Sequence, residues 1–269
     1  MRRTGRRSNT DPRRAAAIVA AVLLALLAPG GAAALDVFTL WQRAEAPLSL
    51  AVGDRVDYNS TTLEAGRRTT ELVRVQCVGD GPEGWLLEIL PLETTPRGFV
   101  PIPGEGLRLV LSHEVSRRAG DLAGLVRRVE QWTEGRSREL DPAQWREDPL
   151  TASLLDADFQ PDVVTSQGAT TRVVGGADLL CSQFTLVAAD TARITLPRGE
   201  MIQIHRREIS AAVHPGVPFL GLAFAAERSE TSAQLIPAGR RSPPPPTQKV
   251  ETMELIGYGR DAAPALHGS

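Results

Sequence analysis

The chain is 269 residues long, with 30 Lys+Arg against 32 Asp+Glu, 42% hydrophobic and 4% aromatic residues, and two cysteines. This balance argues against a nucleic-acid binder, because releasing counterions from phosphates needs clustered basic charge. The scarcity of rings also argues against a sugar-binding cleft, where aromatic faces supply much of the contact area.

Residues 1–34 read as an export signal. Six arginines (Arg2, Arg3, Arg6, Arg7, Arg13, Arg14) precede an unbroken apolar run at 15–28, which Pro29, Gly30 and Gly31 end. Ala32, Ala33 and Ala34 then supply the small residues that a signal peptidase accepts. The run falls short of the about 20 apolar residues that span a hydrocarbon core, so cleavage is expected and anchoring is not. No cysteine lies near the cut to carry a lipid, and no second long apolar segment follows Leu35. The expectation is a periplasmic or secreted protein with no integral membrane segment after cleavage. Without residues 1–34 the chain carries 24 basic and 31 acidic residues, a net charge of −7. Lys249 is its sole lysine.

Residues 35–46 form a lead-in, and a single β-rich domain is expected over 47–259. "DRVDYNSTTL" (54–63) and "RTTELVRVQCV" (68–78) read as strands joined through "EAGR". In the second, Glu71, Val73, Val75 and Cys77 share one face, at the period of two that marks a half-buried strand. "GDGPEG" is a turn, "WLLEILPL" (85–92) the next strand and "GLRLVLSHEV" (106–115) another.

The middle of the chain predicts helix, as an insertion over about 118–158. "AGDLAGLVRRVEQWTEG" places Leu122, Leu125, Val126, Val129 and Trp132 at spacings of three and four. "DPAQWREDPLTASLLDADF" opens with Asp141 as N-cap and Pro142 at the first helical position, and Pro149 divides it. From about Pro161 strands return, separated by Gly, Pro and Asp turns. The proline-rich segment 237–249 is expected to be a stiff surface loop, and 260–269 a disordered tail. The layout predicts an α+β fold, a mostly antiparallel sheet with two or three helices packed on it.

Chemical motifs are sparse. "GEGL" at 104–107 lacks the third glycine of a dinucleotide loop, and "SHEVS" has Arg117 where the second histidine of a zinc helix would stand. Four histidines, His267 among them in the tail, do not suggest a three-ligand metal site. No catalytic residue, metal ligand or cofactor is assigned. Cys77 and Cys181 both fall in strand patterns, and an exported chain meets an oxidising compartment, so a Cys77–Cys181 disulfide is favoured. Buried free thiols, and a catalytic or metal-binding role, stay open beside it.

Two segments, "VVGGADLLCSQF" and "VHPGVPFLGLAFAAE" followed by "ETMELIGYG", resemble a loose group of exported bacterial β-rich proteins. These look like the half-barrels of the periplasmic lipoprotein-localisation (LolA/LolB-like) family. The match covers 170–259 by motif and 47–259 by layout. It departs from the group at 212–215, Ala-Val-His-Pro, where a Trp usually precedes the Val-Pro pair. The resemblance implies a curved sheet, a half-barrel, whose concave face shelters an acyl chain or hydrophobic peptide, and it assigns no functional residue. The function expected is non-catalytic binding of a hydrophobic ligand or a cell-envelope partner. An envelope hydrolase with an unrecognised site and a structural subunit are the alternatives.

Overall fold

A computed structural model describes residues 40–41, 43–96, 98–117, 122–140, 163–196, 199–236 and 245–267. The expected signal at 1–34, the stretch 141–158 and most of the proline segment lie outside them.

Among the described residues twelve strands build one antiparallel sheet: β1 Arg55–Glu64, β2 Arg67–Gly81, β3 Gly84–Thr95, β4 Gly98–Pro101, β5 Gly106–Leu111, β6 Val126–Thr133, β7 Arg136–Leu140, β8 Val163–Val174, β9 Ala177–Leu196, β10 Gly199–Val213, β11 Leu222–Ile236 and β12 Thr247–Gly259. Their order is β7-β6-β5-β3-β2-β1-β12-β11-β10-β9-β8, with β4 paired to β3 alone. The sheet is therefore two meanders, one from each half of the chain. They are joined along a single seam where β1 pairs with β12, Thr62 opposite Glu251 and Ser60 opposite Met253.

The expectation of an α+β fold with two or three helices is overturned. Among the described residues helix is limited to short pieces: residues 40–41 and single turns at His113–Arg117 and Leu122–Leu125. The segment read as helical from Leu122 to Trp132 is mostly β6. Val129 lies opposite Leu109 and Trp132 opposite Gly106, on opposite faces of the sheet. Val126 and Val129 fit i, i+3 spacing, but β-branched side chains also favour strands, and the turn decides between the two. Glu134 and Gly135 have φ of 52° and 76°, the positive pair of a two-residue type I′ hairpin. Ala65-Gly66 and Gly175-Gly176 close β1–β2 and β8–β9 in the same way.

Asp190 does not end a strand as the expected Asp turns would: Ala177–Leu196 is one strand of 20 residues, because Asp190-Thr191 stay paired to His205 and Ile204. At about 3.4 Å per residue β9 runs for roughly 68 Å, against five or six residues in a typical strand.

Register carries one face across the whole sheet. Leu109, Leu87 and Val75 continue through Val56 and Tyr58 to Leu255, Met253, Ala225, Ala211 and Phe184. This inner face is the main core, and it is covered by Leu40, Trp41, Val115, Leu125, Val217 and Leu220. Trp41 Nε1 donates to the Val115 carbonyl at 3.1 Å, and Ser49 pairs with Phe219, tying lead-in and loops together over the sheet. The cover expected of helices is thus supplied by connecting segments.

The outer face is covered locally by the chain end. Glu88, 0% exposed, accepts from Gln76 and the Ala265 amide at 2.9 Å each and from Arg108 at 2.8 Å, and Arg108 also donates to the Leu266 carbonyl. Leu90, Trp132 and Leu266 form a small second core there. Residues 260–267 are a docked strap and not the tail expected. At the opposite end, β8 pairs with β9 alone among the described residues, yet its Cα atoms come within 8 Å of β11 and β12. Arg172 sits 4.0 Å over the Phe224 ring, so the sheet curls over its outer face.

Candidate functional site

The inner face changes character one step beyond the apolar core. Residues 223, 225 and 227 of β11 alternate inward as Ala, Ala and Glu, and 255, 253 and 251 of β12 as Leu, Met and Glu. The same alternation that buries Met253 and Ala225 therefore buries Glu251 and Glu227, at 5% and 2% exposure. Neighbouring strands complete a belt: Arg207 on β10, Thr62 on β1 and Lys249 on β12.

Arg207 Nε donates to Glu227 Oε1 at 2.8 Å. Lys249 Nζ lies 2.9 Å from Glu251 Oε1, and Thr62 Oγ1 donates to that same oxygen at 3.2 Å. The other oxygen, Glu251 Oε2, is buried with no hydrogen-bond partner. Burial pushes the Glu251 carboxyl up to about 7. The Glu227 charge adds to that, while Lys249 and Thr62 pull the other way. Burial also raises Glu71, which lies on the same face opposite Ser60. His205, two residues beyond Arg207 on the same face, bonds Thr231 at 2.9 Å; burial, then the Arg207 charge, lowers its pKa.

Buried ion pairs seldom stabilise a fold more than apolar residues of equal volume would. Strongly perturbed pKa values cluster at functional sites, and structural ion-pair networks perturb them too. Beyond the belt the inner face is only part-covered, and Ile194, Met201 and Leu235 stand side by side across β9, β10 and β11 at its far end.

The cysteines do not form the expected pair. Both are buried free thiols, Cys77 bonded to the Gly79 carbonyl and Cys181 to the Leu179 carbonyl. Cys77 is on β2 and Cys181 on β9, with four strands between them in the sheet order. Cys77 alternates in phase with Val73 and Val75 on the inner face. Cys181 is three residues from inward-facing Phe184 and so faces outward. Burial pushes the Cys77 thiol up to about 11 and raises Cys181 as well, the reverse of what a nucleophile needs. His113, from the half-motif "SHEVS", pairs with Asp80 at 2.6 Å on an exposed turn. Among the described residues no group of three or more His, Cys, Asp or Glu side chains is placed to hold a metal ion.

The sequence reading placed Glu71 on its strand face and noted Lys249 only as the sole lysine, and it did not single out Glu227, Glu251 or Thr62. The available signal was a carboxylate in phase with apolar residues, "AFAAE" and "ETMEL".

No family model matches the chain, including that of the lipoprotein-localisation proteins it resembles, and no curated protein matches it. Among solved structures, one of lipid–protein interactions in lipovitellin is similar over 81% of this chain at 9% identity, with a TM-score of 0.30. The aligned region is 27% of that chain, so this protein spans about a quarter of its length. A TM-score this low does not establish a shared fold.

Proposed function

We propose that this chain is an exported, non-catalytic protein that binds an amphiphilic ligand on the inner face of its sheet. The polar end of the ligand meets the belt of Glu251, Glu227, Lys249 and Arg207, and its apolar part lies along the strands toward Ile194, Met201 and Leu235. The observation that carries this is Glu251 Oε2, a buried carboxylate oxygen without a partner at the border of an apolar core. An unpaired buried polar atom costs about 1–3 kcal/mol, which a ligand group can recover. From Glu227 to Leu235 the strand runs eight residues, roughly 27 Å, long enough for an extended alkyl chain. The arginine-rich start and the apolar run at 15–28 support export, and among the described residues no helix is long and apolar enough to cross a membrane.

The test is titration of lipid-stripped protein with a neutral solvatochromic dye such as Nile red, followed by displacement with n-alkanols of rising length. Saturable micromolar binding is expected, with displacement improving with chain length and lost in Met201→Asp. Absence of saturable binding, or unchanged displacement in the folded variant, overturns the reading.

A further inference from the structure

Resting on that reading, we propose that the polar end of the ligand is a primary ammonium group, held over β1 between Glu71 and Glu251.

The register places the two carboxylates on either side of β1 on one face. Glu71 is opposite Ser60 and Glu251 opposite Thr62, so two hydroxyls lie between them. Glu71 is half-buried and makes no ion pair or hydrogen bond among the described residues. Glu251 keeps Oε2 unpartnered at 5% exposure. The open valences are therefore two carboxylates and the Ser60 and Thr62 oxygens, an acceptor set that matches the three donors of an ammonium.

The anion alternative fits less well. Glu227 and Arg207 are already paired, as are Glu251 and Lys249, so both belt cations lie against carboxylates. Glu71 is then a carboxylate in excess. The chain also uses the ammonium chemistry once itself: its sole lysine is the residue against Glu251, although every other basic side chain is arginine. A second ammonium on Oε2 repeats a contact that Oε1 already makes at 2.9 Å. Entry is from the far side of the belt, where Glu64, Arg67 and Thr69 are exposed while Glu251 is not.

Both carboxylates are raised by burial, so a bound ammonium also draws them into the ionised form. The groups that set this balance are Lys249 on β12, Glu227 on β11, Arg207 on β10, Thr62 and Glu64 on β1, and Arg67 on β2.

Calorimetry on the mature chain with dodecylamine, dodecanoic acid and dodecanol separates the possibilities. Dodecylamine is expected to bind at least tenfold tighter than dodecanol, and to tighten from pH 6 to pH 8 as Glu251 ionises. Glu251→Gln and the more exposed Glu71→Gln should each remove about tenfold of amine affinity and leave dodecanol unchanged. If Glu251→Gln fails to fold, Glu71→Gln carries the test. Equal affinity for the three ligands, or preference for the acid, overturns the ammonium site and leaves amphiphile binding standing. Failure of all three to bind overturns both.

Discussion

Glu227 on β11 and Glu251 on β12 stand directly opposite each other on the inner face, and each has its own cation. Arg207 reaches Glu227 from β10 at 2.8 Å, and Lys249 lies 2.9 Å from Glu251 on its own strand. Burial first, and the opposed Glu227 charge after it, favour the protonated form of Glu251, whose second oxygen has no partner.

That proton gives stability a direction with pH. The folded carboxyl binds its proton up to about pH 7, whereas an unfolded glutamate releases it near 4.5. Between those values the native state holds more protons than the unfolded one. The contribution is thus fully present below the unfolded pKa and is lost as pH rises through the folded one. Thermal melts should fall from pH 5 to pH 8, and Glu251→Gln should flatten the fall and gain about 1–3 kcal/mol at pH 8. A variant that melts with the same pH slope as the parent would remove Glu251 as the cause.

The sole lysine provides a local probe of the same event. Reductive ¹³C-methylation labels Lys249 and the amino terminus only, and the two signals separate by their own titrations. The Lys249 resonance should show an inflection near pH 7 as Glu251 ionises beside it. The inflection should vanish in Glu251→Gln; its persistence there would point to another titrating group.

On the outer face Glu88 is fully buried and depends on Arg108 and the strap for its partners. Arg108→Ala leaves a buried carboxylate without its cation and should cost about 3–5 kcal/mol in denaturant unfolding. Leu266→Ala, 1% exposed in the parent, should cost about 2–4 kcal/mol through the cavity it leaves. A chain ended at Arg260 should lose at least as much as Leu266→Ala; unchanged stability would mean that the strap adds nothing.

The thiols should behave as two separate buried groups. Native protein is expected to react with a thiol reagent only after denaturant exposes both cysteines, and dithiothreitol should not shift its melting temperature. A melting shift on reduction would show a Cys77–Cys181 bond that opposite sheet faces do not permit.

Strand alternation made most of the sheet legible, since "ELVRVQC" and "WLLEIL" each announce one face, and the phase of Glu71 with Val73 is plain from sequence. The helical reading of 122–132 holds only for Leu122–Leu125; beyond it Val126 and Val129 satisfy i, i+3 spacing as well as a strand, and the "TEGR" hairpin turn sets the strand. Glu227 and Glu251 were hidden for a different reason. A carboxylate in an inward phase is indistinguishable from one at a solvated strand end until pairing shows which neighbours close over it. The cysteines were misjudged because strand membership says nothing about order across a sheet, and only order and phase decide whether two thiols meet.

The seam between β1 and β12 also sets a timetable. Thr62 and Glu251, bonded across it, are 189 residues apart. Synthesis proceeds from the N-terminus, so the first meander is complete long before the strand that will lie against β1 exists. Until then β1 is an open edge able to pair with anything extended nearby, and the belt has only its β1 and β2 side. Closure waits on β12, the last of the described strands in chain order, and such long-range pairing slows folding. A chaperone that shields extended edges would find at Arg55–Glu64 a surface that stays open until β12 is made.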